Sequence, residues 1–383
     1  MIIYILAILL IFYITVLISL IIGLFRLRPG DNTTQPVVSI IVAARNEEEN
    51  IGKCLNALIS QDYDRSRLEI IIVDDRSTDG TADIVESKMG TQGHIKLIRI
   101  LESEPGMAPK KNALRAGINI ARGEILLFTD ADCVPRRGWV RSMVRHFHPD
   151  VGLVAGFAPL EISDNPTLFT KLIGLDSLAL ASVAAGSFGL KFPATCTGRN
   201  LAYRKSLYDA VGGFSEIGHM ISGDDDLFLH LARRKTAYAM RYAIEAESLV
   251  PSGTVKNANT FVNQRVRHAS KGTTYRPGMV IGLSAVYLLN LSILVLGIVS
   301  IFLSRFFPVF GIILLLKAMF EFTLLLKASQ LFSRRRWLRY FPIAEILHIP
   351  YVVIFALLGQ VGKFSWKDDS YRTVVEQHTG VDG

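Results

Sequence analysis

Ile125-Leu126-Leu127-Phe128-Thr129-Asp130-Ala131-Asp132 is the stretch on which the fold turns. Its apolar half reads as a buried strand, and the strand ends in two carboxylates one residue apart. That spacing can hold a divalent cation. Hard divalent ions take oxygen ligands and accept phosphate oxygens as co-ligands, so acids at a strand's carboxyl end point to a nucleotide-diphosphate substrate. Asp-x-Asp also occurs in solvated loops, and the reading therefore depends on what surrounds it.

Strand and helix alternate in the flanking sequence. Val37 to Ala43 reads as a buried strand, and Asn46 to Ser60 as a helix with Ile51, Leu55 and Leu58 on one face. Ile70 to Val73 is a second strand that stops at Asp74-Asp75. Ser77-Thr78-Asp79-Gly80-Thr81 then makes a turn and caps a helix running to about Lys88. Ile95 to Ile100 is a third strand, and a helix from about Lys110 to Arg122 leads into the opening stretch. The alternation predicts an α/β domain with a mostly parallel central sheet that binds ligands at the strands' carboxyl ends. Asp74, Asp75, Asp130 and Asp132 are expected in one cleft. A dinucleotide-dependent oxidoreductase is excluded, because no Gly-x-Gly-x-x-Gly follows the first strand.

Both ends of the 383-residue chain read as membrane segments. Met1 to Phe25 carries no charged side chain, and about 20 apolar residues cross a bilayer core. No basic residue precedes this run and no small-x-small site closes it, which favours an anchor over a cleaved signal. Arg26 and Arg28 follow it, which places the central region on the cytosolic side of an integral membrane protein, the cell membrane if the source is bacterial. Three candidate C-terminal spans follow. Met279 to Leu303 is uncharged, Phe306 to Leu326 carries Lys317 and Glu321 four residues apart, and Phe341 to Gly362 carries Glu345. If all three cross, the tail lies outside. If the tail stays inside, one segment lies along the interface, and the polar stripe of Phe306 to Leu326 makes it the candidate. The net charge of +8 comes partly from Arg334, Arg335, Arg336 and Arg339, which suit anionic headgroups better than nucleic acid. Cys54, Cys133 and Cys196 are scattered, without metal-like pairing or a disulfide framework. The expected organisation is a transmembrane helix at 1–25, a cytosolic domain at 30–275, membrane or interfacial helices at 276–363 and a tail at 364–383.

Several separated motifs between Val37 and Gly272 resemble, in order, those of the family 2 glycosyltransferases, the inverting nucleotide-sugar enzymes of GT-A fold, and in particular the membrane-integrated branch. Val38 to Glu48 is similar to the first strand and donor-binding turn, and Asp74-Asp75 to the acids that contact base and ribose. Lys110-Lys111-Asn112-Ala113-Leu114-Arg115-Ala116-Gly117 resembles the Lys-x-x-Ala-Leu-Asn-x-Gly element, with Arg115 in place of Asn. Asp130-Ala131-Asp132 falls where the metal-binding triplet belongs. Thr197 to Lys205 and Val211-Gly212-Gly213-Phe214 resemble the run before the catalytic acid, and Gly223-Asp224-Asp225-Asp226-Leu227 resembles Glu-Asp-x-Asp-Leu, with Gly223 in place of Glu. Gln264-Arg265-Val266-Arg267-His268 is similar to Gln-x-x-Arg-Trp, with His268 in place of Trp.

What the resemblance implies is a hexosyltransferase of glycan or glycolipid biosynthesis. Asp224 would be the general base, with Asp225 next in line. The donor, a UDP- or GDP-sugar, would meet Ala43, Arg45, Glu47, Asp74, Asp75, Lys110, Asp130, Gln264 and Arg267. Asp130 and Asp132 would hold Mg²⁺ or Mn²⁺, and Gly198, Asn200 and His268 would face the acceptor. A lipid or lipid-linked glycan is the expected acceptor, because the C-terminal helices are few for a polymer channel and His268 lacks an indole. A processive synthase of the cellulose or hyaluronan type is the alternative. From another class, a membrane-anchored nucleotide-binding module without catalysis would use the same acids. Each motif alone also has a bland reading, since Asp224, Asp225 and Asp226 suit the positive end of a helix and the Lys110-Lys111 pair suits a solvated turn.

Overall fold

The computed structural model describes residues 2–90, 93–102, 104–160, 166–253, 258–270, 272, 275, 277–361, 363–366 and 369–372. One sheet of seven strands has the order β3-β2-β1-β4-β6-β5-β7. The strands are β1 (Val38–Ala44), β2 (Leu68–Asp75), β3 (Ile95–Ile100), β4 (Ile125–Phe128), β5 (Val151–Gly156), β6 (Leu201–Arg204) and β7 (Ala239–Ala243). The helix α1 (Ile2–Arg26) precedes them. Among the strands lie α2 (Glu48–Ile59), α3 (Thr81–Met89), α4 (Pro109–Ile120), α5 (Trp139–Val144), α6 (Leu168–Gly189), α7 (Lys205–Val211) and α8 (Asp226–Lys235). After them come α9 (Ala258–Ala269), α10 (Pro277–Phe302), α11 (Phe307–Leu331) and α12 (Phe341–Val361).

The sheet is mostly parallel, as the alternation predicts, and β6 is the exception, pairing antiparallel with both β4 and β5. Side chains alternate across the pleat. Val38, Ile40 and Val42 of β1 share one core with Ile51, Leu55 and Leu58 of α2, while Ile41 faces a second core with Leu114 and Ile118 of α4. That second core does not stop at the domain. It continues through α6 into Leu6, Leu10, Tyr13, Leu17, Leu20 and Leu24 of α1, a stripe at alternating four- and three-residue spacing, and into α11.

Among the described residues, five helices are long and apolar enough to cross a membrane, α1, α6, α10, α11 and the segment containing α12. The sequence reading missed α6. Its two ends lead to β5 and β6, which pair with each other in the same sheet. A single crossing would need an irregular return through lipid, where unpaired backbone groups cannot be satisfied. We therefore read α6 as a helix lying beneath the sheet. It crosses α1 near that helix's last turn at extremely close range. A Cβ built on Gly23 would fall 1.9 Å from the Gly186 carbonyl oxygen, and one on Gly189 would fall 2.0 Å from that of Gly23. Glycine lets the two backbones meet.

Lys317, Glu321 and Glu345 of the C-terminal helices form one ion-paired cluster. The Lys317 ammonium is fully buried and lies 2.7 Å from Glu321 and 2.7 Å from Glu345, and the Tyr13 hydroxyl donates to Glu321 at 2.5 Å. Such pairing is what makes a charge tolerable among lipid-facing helices. α12 starts after the segment Arg335–Tyr340, which packs on α6, and it ends with Gly359 against Ala269 of α9. Of the tail expected at 364–383, the described part is a hairpin of β8 (Lys363–Trp366) with β9 (Asp369–Arg372). Lys367 and residues 373–383 lie outside the described residues.

Candidate active site

β1, β2 and β4 are parallel neighbours, so their carboxyl ends converge on one edge of the sheet. Two loops close that edge and are tied to each other. The Asn46 N–H donates to Ser77 Oγ at 2.9 Å, the Thr78 N–H to Asn46 Oδ1 at 2.9 Å, and the Glu47 N–H to Thr81 Oγ1 at 2.8 Å. Ala43 and Arg45 sit at the end of β1, beside Asp74 of β2. Asp75 is buried and ion-paired with Arg76 at 2.9 Å. Asp74 is also buried, and its Oδ1 has no hydrogen-bond partner among the described residues.

Lys110 follows Pro109, which occupies the first turn of α4 and directs the lysine over the end of β4. Its ammonium bridges two acids far apart in sequence, lying 2.9 Å from Asp130 Oδ1 and 3.0 Å from Asp224 Oδ2. Burial alone would lower the ammonium's pKa, but the carboxylates of Asp130 and Asp224 outweigh it and hold it well above the usual lysine range. Asp132 moves upward from its ordinary value, first because it is desolvated and then because Asp130 is beside it, while Arg199 acts in the opposite direction. Crowded all-oxygen acids with a buried cation already drawn between two of them fit a hard divalent ion. Glu47 adds to the negative field at Asp132, which puts it at the same cleft.

The loop before α8 explains a departure seen in the sequence. Gly223 has φ of +90°, and a Cβ there would fall 2.4 Å from the Leu227 side chain. A glutamate does not fit this backbone. Asp225 is the N-cap of α8, taking the Asp226 N–H on Oδ1 at 2.7 Å and the Gly198 N–H on Oδ2 at 3.0 Å. The Asp226 carboxylate accepts from the Tyr275 hydroxyl at 2.7 Å. Asp224 alone of the three turns to the Lys110 cleft.

Behind this wall lies a cavity of about 710 Å³. Gly198 and Asp224 line the Lys110 cleft, whereas their neighbours Thr197, Arg199 and Asp225 line the cavity. Gln264 and His268 of α9 line it as well, and Arg267 is not among the residues lining either space. The structure thus gathers Lys110, Asp130, Asp224 and Gly198 directly, and does not bring Gln264 or Arg267 to them. Asn200 departs most clearly from its expected acceptor-side place. It is fully buried, accepts from Trp139 Nε1 at 2.9 Å and donates to the carbonyls of Phe157 and Ser248 at 2.9 and 2.8 Å. Its amide is consumed in fastening β6 to the strand-end loops.

Two residues within the motifs, given no role of their own by the sequence, prove to shape the site. Lys111 is buried and donates to the carbonyls of Met220 at 2.5 Å and Ser222 at 2.8 Å, anchoring the loop that delivers Asp224. Arg199 donates to Ser252 Oγ at 2.5 Å and stands between the cavity and Asp132. Lysine and arginine are usually solvated, and nothing local marks these two as interior.

A mostly parallel sheet with acids at adjoining strand ends, crossed by a lysine and faced by a capped acidic turn, is the frame of a GT-A domain. The sequence profile of glycosyl transferase family 2 matches residues 39–212, so the chain carries a glycosyltransferase domain of that family. Glycosyltransferase AglE of Haloferax volcanii is 31% identical over 220 residues, which cover 55% of this chain and 66% of that protein. Beta-monoglucosyldiacylglycerol synthase of Synechocystis sp. is 30% identical over 254 residues, 63% of this chain and 50% of that protein. The chain therefore spans from half to just under two thirds of the length of these relatives. A solved mannosyltransferase from Pyrobaculum calidifontis, in complex with GDP-Man and Mn²⁺, superimposes with a TM-score of 0.57 over 93% of this chain and 98% of that one. At 20% identity this likeness is one of fold.

Proposed function

We propose that this protein is a membrane-integrated inverting hexosyltransferase that moves a sugar from a UDP- or GDP-linked donor to a lipid or lipid-linked glycan. The observation that carries the reading is the Lys110 bridge between Asp130 and Asp224, which puts a phosphate-seeking cation, a candidate metal ligand and a candidate base within one small cleft. The Synechocystis relative is by name a glycolipid synthase, which supports a lipid acceptor. Asp74, with its unpartnered buried oxygen, suits a base or ribose donor group, and Asp75, Ala43, Arg45 and Glu47 complete the nucleotide side.

A divalent cation held by Asp130 and Asp132, Mg²⁺ or Mn²⁺, would neutralise charge on the departing diphosphate. Lys110 pairs with phosphate oxygens on the same side. A hydroxyl is a poor nucleophile at neutral pH, so a carboxylate must take its proton as the new bond forms. Asp224 suits this role better than Asp225. Both oxygens of Asp225 accept backbone N–H groups, whereas Asp224 meets Lys110 through Oδ2 and its Oδ1 makes no hydrogen bond among the described residues. Attack from the face opposite the leaving diphosphate inverts the anomeric centre in one displacement.

The helices support a cytosolic catalytic domain with α1, α10 and α11 crossing the membrane. The segment Arg335–Tyr340 that leads into α12 packs on α6, and the last turn of α12 meets α9, which supports α12 as the in-plane segment in place of Phe306 to Leu326. On this reading the tail is cytosolic. The test of the reaction is Asp224→Asn in the purified full chain, read by nucleoside diphosphate release and by donor binding. Binding of donor and Mn²⁺ persists while transfer falls by about 10²–10⁴-fold, the usual worth of a general base. Undiminished turnover rejects Asp224 as the base.

A further inference from the structure

The cavity behind Asp225 has two unlike ends. Its walls come from α6, α9, α10 and α12, and its lining is mostly apolar. Leu180, Leu283 and Leu357 line it and are also about half exposed, so the cavity opens between helices that are long and apolar enough to meet lipid. At the inner end stand Thr197 and Asp225, one residue from Gly198 and Asp224 of the Lys110 cleft. An apolar pocket with a few polar groups at one end is the general form of a small-molecule site, and its size falls within the usual range of about 300–1,000 Å³.

The charges at the inner end discriminate between headgroups. A phosphate-headed lipid brings a dianion or monoanion and needs unpaired guanidinium or ammonium groups. Of the two arginines lining the cavity, Arg265 is ion-paired with Asp176 and Arg199 donates to Ser252 Oγ and acts on Asp132, while the carboxylates of Asp225 and Asp226 line the same space. The inner end therefore holds no surplus of positive charge, and two acids would repel a phosphate. A neutral hydroxyl meets no such penalty and finds carboxylate and threonine acceptors.

Resting on the glycosyltransferase reading, we propose that this cavity is the acceptor site and that its occupant is a neutral, hydroxyl-headed membrane lipid of the diacylglycerol class. The acyl chains lie along α10 and α12, and the terminal hydroxyl enters between Thr197 and Asp225. There it loses its proton to the adjacent Asp224 as its oxygen bonds to the anomeric carbon and the nucleoside diphosphate departs. The chains reach the cavity sideways from the bilayer past Leu283 and Leu357, without leaving the apolar phase.

The test uses the full chain in phosphatidylcholine vesicles with dioctanoylglycerol or a polyisoprenyl phosphate as acceptor, and Leu283→Trp and Ala356→Trp as variants that fill the mouth and the wall. Dioctanoylglycerol is glycosylated, and each tryptophan raises its KM at least tenfold while nucleotide affinity stays within twofold. Glycosylation of the polyisoprenyl phosphate alone, or a KM indifferent to both tryptophans, overturns the proposal. A second arm needs no turnover. Diacylglycerol carrying a diazirine near the acyl terminus labels peptides of α10 and α12, and unlabelled dioctanoylglycerol competes. Label elsewhere, or none, also overturns the site. Competed label on α10 and α12 with no nucleotide release from any UDP- or GDP-sugar keeps the cavity and removes the glycosyltransferase reading.

Discussion

The Gly198 N–H donates to the Asp225 carboxylate at 3.0 Å, joining the turn before β6 to the first turn of α8. This bond is the seam between the Lys110 cleft and the large cavity. A Cβ at position 198 would fall 3.0 Å from Asp224 Oδ2, a tight contact that would press on the acid facing Lys110.

Asp225→Ala should therefore act on structure before chemistry. Loss of the α8 cap costs about 0.5–2 kcal/mol, seen as a lower unfolding midpoint in detergent. Asp224→Asn keeps both backbone bonds of Asp225, so it lowers that midpoint less than Asp225→Ala does while it removes transfer. Equal loss of stability in both variants contradicts the division of labour between the two acids.

On the proposed reading, Lys110 competes with the divalent cation for Asp130. In Lys110→Met the ammonium is gone, so Mn²⁺ affinity rises by about tenfold, the energy of roughly one pK unit, while the transfer rate falls because the donor phosphates lose their partner. Titration calorimetry with Mn²⁺ measures the first effect. An unchanged or weaker Mn²⁺ affinity separates Lys110 from the metal site.

Glu69 gives the domain a pH dependence far from the cleft. It is buried where Ser39 Oγ, Lys96 Nζ and the Arg122 N–H donate to it. Burial would raise its pKa, but the hydrogen bonds and the Lys96 charge overcome this and bring it down to about 2. A depressed carboxylate stabilises the fold above its unfolded pKa of about 4.3, and that stability is lost as pH falls from there toward 2. It amounts to about 3 kcal/mol. Glu69→Gln should unfold more easily than the unchanged chain at pH 7, with about half of the gap gone at pH 3 and most of it gone at about pH 2. A gap that persists unchanged at pH 3 assigns the loss to packing.

Gly23→Leu tests the crossing of α1 and α6. The backbones leave no room for a side chain, so the variant should lose about 1–3 kcal/mol or more, or fail to assemble. Gly90→Ala serves as the control, because a Cβ at Gly90 meets nothing within 4 Å. Equal melting of the two variants would falsify the close crossing.

The strand-end acids were legible because strand periodicity and a terminal Asp-x-Asp are local signals, and the parallel order brings them together with no further information. Lys110 was legible from its motif, but its bridge to Asp224 was not, since the two residues are 114 positions apart in the sequence and meet only through the tertiary fold. Asn200 shows the opposite failure. A polar residue within a functional motif looked like an acceptor contact and proved to be a buried clamp for Trp139 and β6. The helix α6 escaped notice because its 22 residues mix alanine, glycine and serine with leucine and show no amphipathic stripe, as suits a helix packed between a sheet and other helices. The in-plane role proposed for α12 has no sequence signal either, because hydropathy measures length and composition while orientation depends on how a helix packs on its neighbours.

A sheet that shares one core with α6, α1 and α11 has no hinge at its base. In a bilayer oriented as proposed, the catalytic cleft then rides at a constant height above the lipid, set by the thickness of one helix lying flat. Such a fixed altitude acts as a ruler. Acceptors whose reactive hydroxyl sits at the headgroup level are within range, and those that have already grown several sugars outward present their ends beyond it.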